Sequence, residues 1–158
     1  MSEYMNTKWS WIDGSHGMRR QLFNVVTDED LVFSPGGMAV TLGELFREMG
    51  EVQHAYNQSL LTFKTDFSYR TTDTELSVSV QKIAAWYIQL EAEMKSVLTG
   101  FSDADYRKNI ERGGGYAITV DLQMDIYLQA LLIFFGKVSV YLRILNKEVS
   151  AYFAEYIG

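Results

Sequence analysis

The stretch that decides the fold is Phe134-Phe135-Gly136-Lys137-Val138-Ser139-Val140-Tyr141-Leu142-Arg143-Ile144-Leu145-Asn146-Lys147, the second half of a long apolar segment. Its spacing predicts one helix from Thr119 to Leu145 with apolar side chains on more than one face. Such a helix lies at the centre of a helical bundle or contacts a second subunit. In a domain this small, contact with a second copy of the chain is the preferred interpretation.

Two more long helices are predicted upstream of this segment. Thr41 and Glu44 have the spacing of a capping box, so a helix begins there, and apolar residues follow at three- and four-residue steps as far as Phe63. Similar periodicity predicts a helix from about Asp73 to Leu98, with Gly100 as its stop. Each helix has one apolar face for a shared core.

The ends of the chain complete the prediction. A helix is expected over most of Trp9 to Val26, and a short one near Glu148 to Tyr156. The connection before Thr41 is about a dozen residues, which is long for a bundle, and turns are predicted in it at Thr27 to Asp30 and at Ser34 to Gly37. A further irregular turn is predicted at Gly113 to Gly115. The fold class predicted is therefore all-α: a four-helix bundle with a long first crossover and a short extra C-terminal helix, forming a single domain over residues 1–158.

Composition narrows the classes of function. The chain has no cysteine, which excludes disulfides and thiolate chemistry and suits a cytoplasmic protein. Its net charge of −6 argues against a nucleic-acid partner. The longest apolar run, Ala130 to Phe135, is far shorter than the roughly 20 residues that cross a bilayer, and the N-terminus does not have the pattern of a secretory signal. Neither a membrane location nor export is expected.

Two segments, Thr41 to His54 and Phe134 to Lys147, resemble the DinB/YfiT family of four-helix bundles. The resemblance implies a divalent metal held by one histidine on the second helix and two histidines, four residues apart, on the last long helix. Residue by residue, these positions match Glu48, Ala130 and Phe134. Two of the three have no ligand atom, so the resemblance implies a bundle that has lost its metal triad.

Glu48 is then a carboxylate beside an apolar cavity, where an unpaired charge is costly. Lys137 shares a helical face with Ala130 and Phe134, which predicts an ion pair between Lys137 and Glu48. A different hypothesis groups Glu48 with Asp125 or Asp121 as oxygen ligands of a rebuilt metal site. For the two aspartates, acidity near a helix N-terminus is the preferred explanation.

The two histidines give no further support for catalysis. His54 has polar neighbours along its helix and is expected in solvent. His16 lies near Gly14 and Gly17 and has no second histidine at ligand spacing. With neither histidine expected to point inward, a serine–histidine–acid triad has no base.

The function predicted is a DinB-like bundle without a cofactor, acting as a non-catalytic small-molecule-binding or structural homodimer. A ligand is expected in the former metal cavity, where Tyr127 and Lys137 orient its polar end. The predicted ligand-binding residues are Glu48, Tyr127, Ala130, Phe134 and Lys137. The alternative is a hydrolase or thiol transferase, chemistry that the resemblance implies, using zinc, nickel or manganese on Glu48 and Asp125.

Overall fold

The computed structural model describes residues 2–157, which form seven α-helices and one β-hairpin. The bounds of these elements are α1 Glu3–Thr7, α2 Trp9–Leu22, α3 Asp28–Leu31, α4 Leu42–Thr62, α5 Val80–Gly100, β1 Asn109–Glu111, β2 Ala117–Thr119, α6 Val120–Ile144 and α7 Ala151–Ile157. The long helices α2, α4, α5 and α6 surround a shared apolar core. The predicted all-α bundle with a short extra C-terminal helix is confirmed.

Helix α4 begins where the sequence predicts. The Thr41 hydroxyl accepts a hydrogen bond from the Glu44 backbone N–H at 3.1 Å, and Glu44 accepts one from the Thr41 N–H at 2.8 Å. These bonds satisfy two amide groups that have no partner within the helix. The helix ends at Phe63, whose left-handed φ of 55° stops it.

Two segments differ from the prediction. Residues 27–30, expected as a turn, begin the short helix α3 through a capping box between Thr27 and Asp30. Helix α5 starts seven residues after Asp73, because Ser79 caps it and residues 74–77 form a separate 3₁₀ turn. Local side-chain caps therefore divide both connections into short structured pieces.

The three consecutive glycines form the turn of the hairpin. Gly113, Gly114 and Gly115 all have positive φ, a region that glycine adopts without strain. Strands β1 and β2 pair in antiparallel register, with Ile110 opposite Ile118. The turn agrees with the irregular segment expected there, whereas the three-residue strands were not predicted.

Helix α6 is the central helix of the bundle, and its predicted bounds are confirmed to within one residue. Thr119 caps it, and it contacts α2, α4 and α7. By length and hydropathy it is also the one helix within residues 2–157 that is able to span a membrane. Its buried apolar residues pack in the core: Val120, Met124, Tyr127, Leu131, Phe134, Phe135, Val138, Tyr141 and Leu142.

Candidate functional site

The three positions that match the metal ligands lie in different surroundings. Phe134 is buried, and its ring lies 5.4 Å from that of Phe46 and 5.7 Å from that of Phe135, measured between centroids. Ala130 is half-buried and Glu48 is exposed. The space next to α4 is thus filled by a hydrocarbon ring, and these residues do not fit a divalent ion.

The predicted ion pair between Glu48 and Lys137 is not formed. Both residues are exposed, and none of the ion pairs between residues 2 and 157 joins them. Glu48 instead lines a cleft of about 280 Å³ with Arg47, Glu51 and Arg70. In solvent neither charge needs a partner, which removes the physical reason for the prediction.

In that cleft, the buried carboxylate is Glu51. It lies 3.7 Å from both Arg47 and Arg70 and accepts a hydrogen bond from the Thr71 backbone N–H at 3.0 Å. Glu51 therefore attaches the segment after α4 to the bundle. This structural role accounts for the carboxylate without a ligand.

The two aspartates of α6 already have a cation. The Lys8 ammonium lies 2.7 Å from Asp121 and 3.1 Å from Asp125, and its hydrogen bond to Asp121 raises the pKa of Lys8. The cleft lined by Asp125 is different from the one lined by Glu48. Over residues 2–157, no three histidine, aspartate or glutamate side chains form a group able to hold a metal ion.

His16 corrects the expectation that neither histidine points inward. It is buried, and its Nε2 forms a 2.8 Å hydrogen bond with the Tyr127 hydroxyl. Burial, with the nearby charges of Arg19 and Arg20, holds the pKa of His16 well below its usual range. Burial also raises the pKa of Tyr127. Both groups are therefore neutral at pH 7 and closed off from solvent.

Arg19 is the centre of this buried group and was missed by sequence reasoning. Its Nη2 donates to Gln53 at 2.6 Å and to Glu91 at 2.9 Å, and its guanidinium lies 3.8 Å from the ring centroid of Tyr87. Two other nitrogens of Arg19, Nε and Nη1, are buried without a hydrogen-bond partner. We call His16, Arg19, Gln53, Glu91 and Tyr127 the buried polar cluster.

The buried polar cluster connects all four long helices. His16 and Arg19 lie on α2, while Gln53, Glu91 and Tyr127 come from α4, α5 and α6. A sequence signal for the α2 members exists, because Trp9, Ile12, His16 and Arg19 follow one another at three- and four-residue steps on one face. Buried between the four helices, these side chains join α2 to α4, α5 and α6 through hydrogen bonds.

His54 lies in a second environment. It is half-buried rather than fully solvated, and its ring stacks on Tyr69 at 3.9 Å between centroids. Both side chains line a cleft of about 700 Å³ between α4 and α5. None of the five predicted ligand-binding residues lines this cleft.

Comparison with known proteins shows similarity in structure and no significant similarity in sequence. No protein-family model matches the chain, and no curated protein is significantly similar in sequence. Among solved structures, a DinB-like protein from Bacillus cereus has a TM-score of 0.74 at 15% identity, over 91% of this chain and 96% of the other. The DinB-like protein YjoA from Bacillus subtilis has a TM-score of 0.68 at 12% identity, over 87% and 92% of the two chains. The chain therefore has the fold of the DinB-like proteins.

Proposed function

We propose that this protein is a non-catalytic member of the DinB-like fold that works in the cytoplasm as a homodimeric binding protein without a metal cofactor. The observation that carries the proposal is the buried Phe134 ring, packed against Phe46 and Phe135 where the resemblance places a metal ligand. A phenyl ring offers no lone pair to a metal ion, and it excludes water from this part of the bundle.

The surroundings of the acidic residues support the same proposal. A rebuilt carboxylate site requires Asp121 and Asp125 to release Lys8, whose ammonium they both contact. It also requires Glu48 to approach from a different cleft. The hydrolase or transferase alternative therefore needs a rearrangement that the non-catalytic proposal does not.

Metal addition is expected to leave the stability of the protein unchanged. The melting temperature should be the same with zinc, nickel, manganese or a chelator, because we expect no group of side chains in the folded protein to bind these ions. A site saturated a hundredfold above its dissociation constant would raise the melting temperature by about 5 °C or more. Differential scanning calorimetry gives the measurement.

The matched variants for this experiment are Glu48→Ala and Asp125→Asn. In our proposal both respond to metal in the same way as the unmodified chain. An increase in melting temperature that one equivalent of metal causes, and that either variant abolishes, would support the metal-dependent enzyme instead.

The homodimer is supported by an exposed apolar stripe on α6. The stripe consists of the exposed residues Leu122, Ile133, Val140 and Ile144 and the half-buried Ile126, which recur at helical spacing along one side of the helix. Gly136 lies in the same stripe with open space above it. The stripe crosses the full length of a helix whose opposite side is core, so the helix has an apolar surface for a second copy.

An antiparallel pairing about a two-fold axis near Ile133 makes the stripe self-complementary. It places Leu122 of one copy against Ile144 of the other and Ile133 against itself. The acidic end of α6, with Asp121 and Asp125, then lies beside the end that carries Lys137 and Arg143. A parallel pairing would instead bring like charges together.

The Ile133→Glu variant is expected to be monomeric because it places two carboxylates at the centre of the proposed contact. Light scattering after gel filtration should give twice 18.1 kDa for the unmodified chain and 18.1 kDa for the variant. The control is Ile88→Glu, since Ile88 is similarly exposed on α5 and lies outside the stripe. An unmodified chain that is monomeric at tens of micromolar, or an Ile133→Glu variant that remains dimeric, contradicts the proposed dimer.

A further inference from the structure

The cleft between α4 and α5 has an aromatic side that is packed closely against α4. Trp86 of α5 packs directly on Gly50 of α4, where an added Cβ would lie 2.7 Å from Cε3 and 2.8 Å from Cη2 of the indole. Any side chain larger than hydrogen at position 50 would displace the ring. The indole therefore lies directly against the backbone of α4, with part of its surface still exposed.

A second aromatic surface comes from the stacked rings of His54 and Tyr69. Their planes are inclined by 26°, and Tyr69 is 38% exposed although it is anchored by the stack. Trp86, His54 and Tyr69 all line the same cleft. Flat or cationic groups gain affinity from such aromatic faces, and indole is the strongest of them for cations.

The charged group on the polar side of the cleft is the carboxylate of Glu93. Glu93 accepts hydrogen bonds from Gln89 at 2.9 Å and from Asn57 at 3.3 Å, one on each carboxylate oxygen. Each oxygen therefore has a second lone pair that is able to accept another hydrogen bond. The Asn57 amide nitrogen also donates to the Leu90 carbonyl oxygen at 2.9 Å, which fixes the orientation of the amide. Its Oδ1 is consequently the free end, and it is buried without a partner.

The charge of the cleft favours a ligand that donates hydrogen bonds. Asn57 is only 2% exposed, and its amide nitrogen supports the Glu93 carboxylate from the buried side of the cleft. The residues that line the cleft include the carboxylate of Glu93 and neither lysine nor arginine. Charge and hydrogen-bonding capacity thus select the same kind of group, an ammonium.

We propose that the α4–α5 cleft binds an organic amine, with its ammonium group donating to the Glu93 carboxylate and its apolar or aromatic body against Trp86. The inference rests on the proposed binding role. It locates the ligand in the α4–α5 cleft instead of in the former metal cavity. Metal binding is tested by the melting temperature with added metal, and amine binding by titration with an amine. Either proposal can therefore fail without the other.

Titration with 2-phenylethylamine, followed by calorimetry and by the indole N–H signal of Trp86 in NMR spectra, tests the proposal. The Trp86 signal is identified with the Trp86→Phe variant. Saturable binding that shifts this signal is expected, and 2-phenylethanol, which has the same body but no charge, should bind about tenfold more weakly or worse.

The matched variants are Glu93→Gln, which removes the charge and keeps the shape, and Glu148→Gln, an exposed glutamate outside the cleft. Glu93→Gln should weaken amine binding by about tenfold or more, while Glu148→Gln should leave it unchanged. The melting temperature of each variant verifies that it is folded. The proposal is overturned if the amine does not saturate, if the alcohol binds equally well, or if Glu93→Gln binds like the unmodified chain.

Discussion

Replacement of Glu91 by glutamine is expected to lower the free energy of unfolding by about 3 kcal/mol or more, because the fully buried Arg19 then has no counter-ion. Arg19 already has two buried nitrogens without partners, so its charge is only partly compensated. Gln53 and the ring of Tyr87 remain next to it, but both are neutral. Arg20 also loses its contact with Glu91, at little cost, because its side chain is 45% exposed.

Urea unfolding followed by circular dichroism measures the change. The double variant Arg19→Met with Glu91→Leu is the informative control, because it removes both charges and keeps the volume. Its destabilisation should be smaller than that of Glu91→Gln alone, since replacing a buried ion pair by apolar residues is often neutral. A loss below about 1 kcal/mol for Glu91→Gln would show that Arg19 is better compensated than its contacts indicate.

Replacement of Gly43 by alanine should cost about 2 kcal/mol or more, although alanine favours a helix by about 1 kcal/mol over glycine. An added Cβ would lie 2.7 Å from the Ser77 carbonyl carbon and 3.1 Å from the Leu31 carbonyl oxygen. Both are backbone atoms, so the clash is not relieved by rotating a side chain. The start of α4 must move away from α3 and from the 3₁₀ turn.

Gly17→Ala provides the comparison at a position without this constraint. Gly17 lies within α2, and the nearest atom to an added Cβ is a terminal nitrogen of Arg20 at 3.7 Å, an ordinary contact. Helix propensity then dominates, and a gain of up to about 1 kcal/mol is expected. Thermal unfolding of both variants tests the pair: equal effects at Gly43 and Gly17 would mean that the close approach at Gly43 is not present in solution.

The long helices were predictable because their signals are local. The capping box of Thr41 and Glu44 and the apolar spacing that follows it specify α4 within a short window. The start of α6 at Thr119 was likewise readable from the neighbouring residues. For these elements, propensity, capping and burial all favour the same conformation.

The details between the helices were less predictable, for a physical reason. The sequence predicts a turn at Thr27 to Asp30, whereas the capping box there begins the four-residue helix α3. In the hairpin, three glycines indicate a turn but do not show that Ile110 and Ile118 pair across it. Short elements depend on contacts with the rest of the chain more than on their own propensity.

The candidate site required contacts between distant residues. His16 and Tyr127 are 111 positions apart, and Lys8 and Asp121 are 113 apart. Periodicity assigns each residue to a face of its own helix, but it does not identify the residue on the facing helix. The resemblance assigned Glu48 to the second helix of the bundle, which is α4. The exposure of the Glu48 side chain depends on how the helices pack, and the sequence did not predict it.

The metal content of the protein, purified without an affinity tag and measured by elemental mass spectrometry, tests the central claim most directly. The account predicts substoichiometric zinc, nickel and manganese, both as purified and after dialysis against each ion, because Phe134 and Ala130 provide no ligand atoms. One equivalent of tightly held metal per chain would contradict it, and Glu48 and Asp125 would then be the first residues to replace.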